Sequence, residues 1–307
     1  MKNIADFLEL FMDKTGYPED AKDTFRNIHT QLLRTSTAAE KFDGILAGME
    51  NGGRKELLVE ADALAESLGV HPYSMELYVF MVRALPLRER YRQAGIDEQV
   101  YWDSMTDLRA KLMECRDVYG VNGSFVASWF FGFFDMTRFA LGRLQFEIGQ
   151  FHHDKPYLWG DLALQSGDNA INIHIPSLGP LPTESVLDAL GRAYRFPYFE
   201  KVRVQGSDIR PFMCGSWLLY PGHRDFLQSR SNILKFMDCF DIIRCEEERE
   251  FGNKWRVFGK GKDTPPENLP TDTALRRAYA ERLRAGGMTG SGFGILLFDG
   301  EKIVNHR

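Results

Sequence analysis

The sequence predicts an α+β protein, with a helical N-terminal half followed by a mostly antiparallel sheet flanked by helices. Three observations carry that expectation. Apolar residues recur at spacings of three and four through the first 120 positions, the signature of amphipathic helices. After Phe134 the texture changes to short alternating apolar and polar runs separated by turn residues. The chain, at 307 residues, also exceeds an ordinary single domain of roughly 100 to 200 residues. Two domains are therefore expected, residues 1–135 and 136–307.

The helical half is punctuated by recognisable stops. Ile4, Phe7, Leu8, Phe11 and Met12 make one apolar stripe that ends at Gly16, and Pro18 opens the next helix, which carries Phe25, Ile28, Leu32 and Leu33. Leu57, Leu58, Ala61, Leu64, Ala65 and Leu68 form another stripe closed at Gly69, a left-handed cap by type. Pro72 starts a helix through Tyr78 and Met81. A longer one runs from Asp97 to Tyr119, with Val100, Tyr101, Met105, Leu108 and Leu112 inward and Gly120 as its stop.

In the second half, LGRLQFEIGQF sets Leu144, Phe146 and Ile148 against Arg143, Gln145 and Glu147, which reads as a half-buried strand. PYLWGDLAL reads as a second short strand, which Gly160 and Asp161 could break, AINIHIP as a third, and the three together as an antiparallel meander. In AINIHIP, Ile171, Ile173 and Ile175 share one face while Asn172 and His174 share the other. The loop SLGPLPT leads to a helix over about 184–196, with Thr183 as its expected N-cap. RPFMCGSWLLY reads as a strand and residues 223–240 as a helix. DIIRCEEEREF and KWRVFG read as a hairpin turning at Gly252 and Asn253. A Pro-rich loop, the helix TALRRAYAERLRAGG, the connection GMTGSGFG and the strand FGILLFD complete the order.

Composition narrows the functional classes. The chain is 44% hydrophobic, 26% charged and 13% aromatic, so most of it should be ordered. A formal net charge of −5 gives no electrostatic reason to expect nucleic acid or an anionic membrane as partner. The N-terminus places Asp6, Glu9 and Asp13 inside its apolar pattern, unlike a signal peptide, and the apolar run Val121–Phe134 is too short to span a bilayer. A cytoplasmic protein is expected, with Cys115, Cys214, Cys239 and Cys245 as reduced thiols, since no C-x-x-C spacing occurs. His152, His153 and Asp154 share one turn and lack a third ligand at a diagnostic spacing, so no metal site is expected.

Four short strings are spaced through the second half: GRLQFE at 142–147, HIPSLGPL at 174–181, CGSWLL at 214–219 and SNILKF at 231–236. Together with the order of elements they resemble a bacterial family of acyltransferase-domain proteins, in which a helical N-acyltransferase N-terminal domain precedes a GNAT-like C-terminal domain. The resemblance covers nearly the whole chain. It implies a mixed, mostly antiparallel GNAT-like sheet and an acyl-coenzyme A thioester, acetyl-CoA or another acyl-CoA, as substrate beside an unidentified amine acceptor. In that superfamily the diphosphate-binding loop normally reads Q/R-x-x-G-x-G/A, whereas here it reads S-L-G-P-L-P.

Unpaired amides and the dipole at a helix start can hold a diphosphate without a basic side chain. Pro180 and Pro182 have no N–H, which leaves Leu178, Gly179, Leu181, Thr183, Glu184 and Ser185 as donors. Ile175 and Ser177 complete the expected cofactor-binding loop. Its bland alternative is a tight turn feeding a capped helix. His174 stands where such enzymes often carry the base that deprotonates the amine, against a hydrogen-bonded packing residue beside a proline. Glu147 is the alternative base, if burial raises its pKa. Cys214 is a candidate nucleophile for a ping-pong route, against an inert buried thiol. Tyr220 is a candidate acid for the leaving thiolate. Ser216 follows Cys214 on the same element as a further cofactor contact. Ser231 and Asn232, poor helix formers in the middle of the 223–240 helix, are expected to hydrogen-bond something specific, pantetheine amides or a neighbouring loop. The competing reading is a non-catalytic GNAT-fold module that binds a ligand or partner without turnover.

Overall fold

A computed structural model describes residues 2–50 and 54–305. The chain divides into two compact units, Met1–Thr137 and Arg138–Arg307, two residues beyond the expected boundary. At the junction Met136 takes a left-handed φ of +58°, unusual for a residue other than glycine, and closes the last helical turn of the first unit through its amide to the Phe133 carbonyl.

The first unit contains α1 (Lys2–Thr15), α2 (Glu19–Leu33), α3 (Ser36–Glu50), α4 (Arg54–Ser67), α5 (Pro72–Gln93), α6 (Glu98–Tyr119) and the single turn α7 (Phe131–Phe134). The stops read from the sequence do their work: Gly16, Gly69 and Gly120 all have positive φ, and the Asp97 side chain accepts from the Gln99 amide to cap α6. The helix α3 was not singled out by its pattern, although Ala38, Phe42, Ile45 and Met49 bury one face of it.

The second unit has a six-stranded mixed sheet in the order β1-β2-β5-β6-β8-β7. Its strands are β1 (Arg138–Leu141), β2 (Leu144–Gln150), β5 (Asn169–His174), β6 (Arg210–Ser216), β7 (Asp241–Glu248) and β8 (Thr289–Phe298), while β3 (Tyr157–Trp159) and β4 (Leu162–Leu164) form a separate hairpin. All neighbours are antiparallel except β5 and β6, which are joined through the crossover helix α8 (Thr183–Arg195). Three shorter helices follow: α9 (Asn232–Met237), α10 (Lys254–Phe258) and α11 (Ala274–Arg284).

Several expectations are corrected. The meander does not exist, because β2 pairs directly with β5 and the intervening PYLWGDLAL folds on itself at Gly160 and Asp161. KWRVFG is the helix α10, not the second arm of a hairpin; Val257 and Phe258 pack with Tyr279 and Ala280 of α11, and β7 pairs with β8. The 223–240 helix is broken, so only Asn232–Met237 is α-helical. GMTGSGFG lies largely within β8. There, Gly290, Gly292 and Gly294 leave space for the Glu246, Leu219 and Asp241 backbones and for the Tyr220 and Phe240 side chains.

Alternation sorts the sheet into two faces. Phe139, Phe146 and Phe212 lie on one face, where Phe139 meets Phe196, Tyr198 and Phe199, which follow α8. On the other, the β3–β4 hairpin covers a core of Phe151, Leu164, Ala170, Met213, Ile295 and Leu297. Beyond that core, the same face turns polar along β1, β2 and β5.

Candidate active site

The polar patch is dictated by register. Arg138 stands opposite Glu147, Glu147 opposite Asn172, and Gln145 opposite His174, so all five share one face of three adjacent strands. His174 Nε2 lies 2.6 Å from Glu147 Oε1, and Arg138 donates to Glu147 Oε2 from Nε at 3.1 Å and Nη2 at 2.9 Å. The three side chains are 17%, 22% and 10% exposed, so the Glu147–Arg138 ion pair and the His174 contact lie in a partly dehydrated setting. Burial by itself would raise the Glu147 carboxyl. The hydrogen bond and charge of His174, together with the Arg138 guanidinium, outweigh it and hold the group down at about 2. Glu147 is therefore an ionised partner of His174; the raised pKa that a base role required is not found. The ionised carboxylate lies within hydrogen-bond reach of His174 Nε2 and favours a proton on that nitrogen.

Beside His174 the β5–β6 ladder ends. It pairs Ile171 with Phe212 and Asn172 with Met213, although β5 continues to His174 and β6 to Ser216. The loop 175–182 leaves β5 at this end of the ladder and enters α8. Within it the Leu178 amide donates to Pro176 O and the Ser185 amide to Pro182 O, so these two of the expected donors are engaged. The amides of Ser177, Gly179, Leu181, Thr183 and Glu184 have no acceptor among the described residues. Pro182, not Thr183, is the N-cap, and no side chain caps α8; Thr183 is its first helical residue. Ser177, Gly179 and Thr183 are exposed, Ile175 and Leu178 half-buried, and the Leu181 side chain is buried.

The remaining candidates fall elsewhere. Cys214 is fully buried in mid-sheet opposite Gly294, and burial pushes its thiol up to about 12, which disfavours the thiolate a nucleophile needs. Tyr220 is buried, raised first by burial and then by Glu247, and its hydroxyl donates to Glu247 Oε1 at 2.8 Å, so its proton is committed to a carboxylate. The Ser216 hydroxyl accepts from the Leu218 amide. Ser231 is the N-cap of α9, accepting from the Ile233 amide, and Asn232 is its first residue; their helix-breaking chemistry marks a helix start, not a ligand in mid-helix.

Two arginines escaped the sequence reading. Arg138 was legible in principle: Gly142 and Arg143 form a two-residue hairpin turn, which sets Arg138 across from Glu147 as a cross-strand ion pair. Arg143 itself binds three carbonyls of the loop, Pro180 O from Nε at 2.9 Å, Pro176 O from Nη1 at 3.0 Å and Gly179 O from Nη2 at 2.6 Å.

A helical unit, a mixed sheet with one short parallel ladder, and a crossover helix with bare amides at its start define a GNAT-like architecture that follows an N-terminal helical domain. The chain belongs to the family with the GNAT-like C-terminal domain, matched over residues 139–296, and the N-acyltransferase N-terminal domain matches residues 6–136. Solved structures share the fold over most of its length. A mutant acyltransferase in complex with octanoyl-CoA superposes with a TM-score of 0.70 at 20% identity, covering 92% of this chain and 85% of that one. An acyltransferase in complex with decanoyl-CoA and teicoplanin gives 0.67 at 19% identity, covering 93% and 86%. A third, in complex with decanoyl-CoA, gives 0.61 at 20%, covering 94% and 98%. A comparison with curated proteins found no match.

Proposed function

We propose that this protein is an N-acyltransferase that moves an acyl group from acyl-coenzyme A to an amine by direct attack. The observation that carries the reading is the early end of the β5–β6 ladder with His174, backed by Glu147 and Arg138, on β5 beside it. The diphosphate lies against the amides of Ser177, Gly179, Leu181, Thr183 and Glu184, where the start of α8 adds roughly half a positive charge. Ile175 and Leu178 flank the pantetheine arm.

The amine nitrogen attacks the thioester carbonyl carbon, a C–N bond forms, and the tetrahedral centre collapses with cleavage of the C–S bond. His174 takes the amine proton, while Glu147, 2.6 Å from its Nε2, stabilises the imidazolium. The thiolate departs and is protonated from water. Cys214 and Tyr220 take no part. The medium acyl chains in similar structures make octanoyl- and decanoyl-CoA the first donors to compare with acetyl-CoA. Free cysteines throughout fit the cytoplasm as its compartment.

Thiol release from these donors, with an amine panel that includes teicoplanin, tests the reading. His174→Ala should lower the rate by about 10²- to 10⁴-fold while leaving CoA binding intact. Wild-type protein that binds CoA yet releases no thiol with any acceptor would replace the enzyme by a binding module.

A further inference from the structure

The loop proposed to receive the diphosphate is held from behind by one side chain. Arg143 occupies the second position of the β1–β2 turn, after Gly142 with φ +76°, and its three bonds to the Pro176, Gly179 and Pro180 carbonyls exhaust one edge of the loop. Burial draws this guanidinium's pKa down, and no carboxylate offsets the effect. A cation placed at this cost against backbone carbonyls has a structural consequence on the other side of each peptide.

Among the described residues every peptide is trans, so each C=O and the N–H that follows it point in opposite directions. Drawing the Pro176 carbonyl onto Arg143 turns the Ser177 N–H away from it; drawing the Pro180 carbonyl does the same for Leu181. These are two of the amides without an acceptor, and they continue the row begun by Thr183 and Glu184. The orientation matters because Pro180 and Pro182 supply no N–H, so the few donors left must all face one way. Gly179, with φ +92°, is the one glycine in the loop and cannot fix that direction alone.

We propose that Arg143 is a positioning residue for the diphosphate of the acyl-CoA: it does not touch the anion but aims the Ser177 and Leu181 amides at it. The proposal rests on the assignment of acyl-CoA to this loop. It distinguishes Arg143 from an ordinary surface cation, whose loss would weaken any anion uniformly, and from a merely structural residue, whose loss would weaken every ligand.

The test compares full-length wild type, Arg143→Ala and Arg143→Lys by ligand-observed NMR titration with CoA and with pantetheine, which lacks the diphosphate. Arg143→Ala should raise the CoA dissociation constant about tenfold or more and change that of pantetheine less than twofold. Arg143→Lys should fall between, since an ammonium cannot span three carbonyls in the fixed fork of a guanidinium. Equal affinity of wild type and variants for CoA, or parallel loss of CoA and pantetheine, overturns the proposal. If Arg143→Ala does not fold, the ratio of the two constants in Arg143→Lys decides in the same way. Wild-type protein without measurable CoA affinity overturns both this proposal and the acyl-CoA assignment.

Discussion

Replacing Glu147 by Gln probes the centre of the polar patch with nearly constant volume. The carboxyl is held at about 2 instead of its ordinary 4.5, and at about 1.4 kcal/mol for each pKa unit the native state gains about 3 kcal/mol from keeping it ionised. Because the folded pKa lies below the unfolded one, that stability is complete above about pH 4.5 and is lost as pH falls toward 2. About half should remain at pH 3. The side chain is 22% exposed, so solvent screening discounts this figure only modestly. Glu147→Gln should accordingly destabilise the protein by about 3 kcal/mol at pH 7 and by about half that at pH 3, measured by urea unfolding of wild type and variant at each pH. Acyl transfer should fall as well, because an amide no longer stabilises the His174 imidazolium formed when the base takes up the amine proton. An identical destabilisation at both pH values would refute the electrostatic argument, and unchanged turnover would refute the pairing of Glu147 with the base.

Cys214→Ala should retain the transfer rate within about twofold, and intact-protein mass spectrometry after mixing with acyl-CoA should show no covalent acyl adduct, since a thiol at about 12 supplies almost no thiolate at neutral pH. Gly290→Ala places a methyl against the Glu246 carbonyl and 2.9 Å from the Tyr220 ring, so a loss of about 1–3 kcal/mol is expected in thermal unfolding. A neutral Gly290→Ala would mean that β7 and β8 can part without cost.

Local rules read the helical unit well because its signals are local. The Asp97 cap, the left-handed Gly120 and the stripe between them lie within one continuous segment, and no distant strand competes for it. In the sheet unit, alternation identified β2 and β5 and placed His174 and Glu147 on polar faces, but alternation does not say which strands pair. The β2–β5 ladder skips a whole hairpin, and the β5–β6 contact requires a crossover helix. The strand β1, RFAL, is buried at all four positions and so has no alternation to detect. In KWRVFG five residues were too few for a period to decide, and packing on α11 settled the outcome. The glycines of β8 argued against a strand locally, yet they are the residues that let the 217–220 segment lie flat on it. Arg143 had no local signal, for its partners are backbone carbonyls more than thirty positions away.

The short contact between β5 and β6 leaves a seam in an otherwise continuous fabric. On the proposed reading, the main-chain groups that a longer ladder would pair are where the amides of a pantetheine arm would add to the sheet. A guest that does so finishes the architecture and raises its melting point in step with occupancy. Recognition at the seam would then depend on main chain more than on side chains.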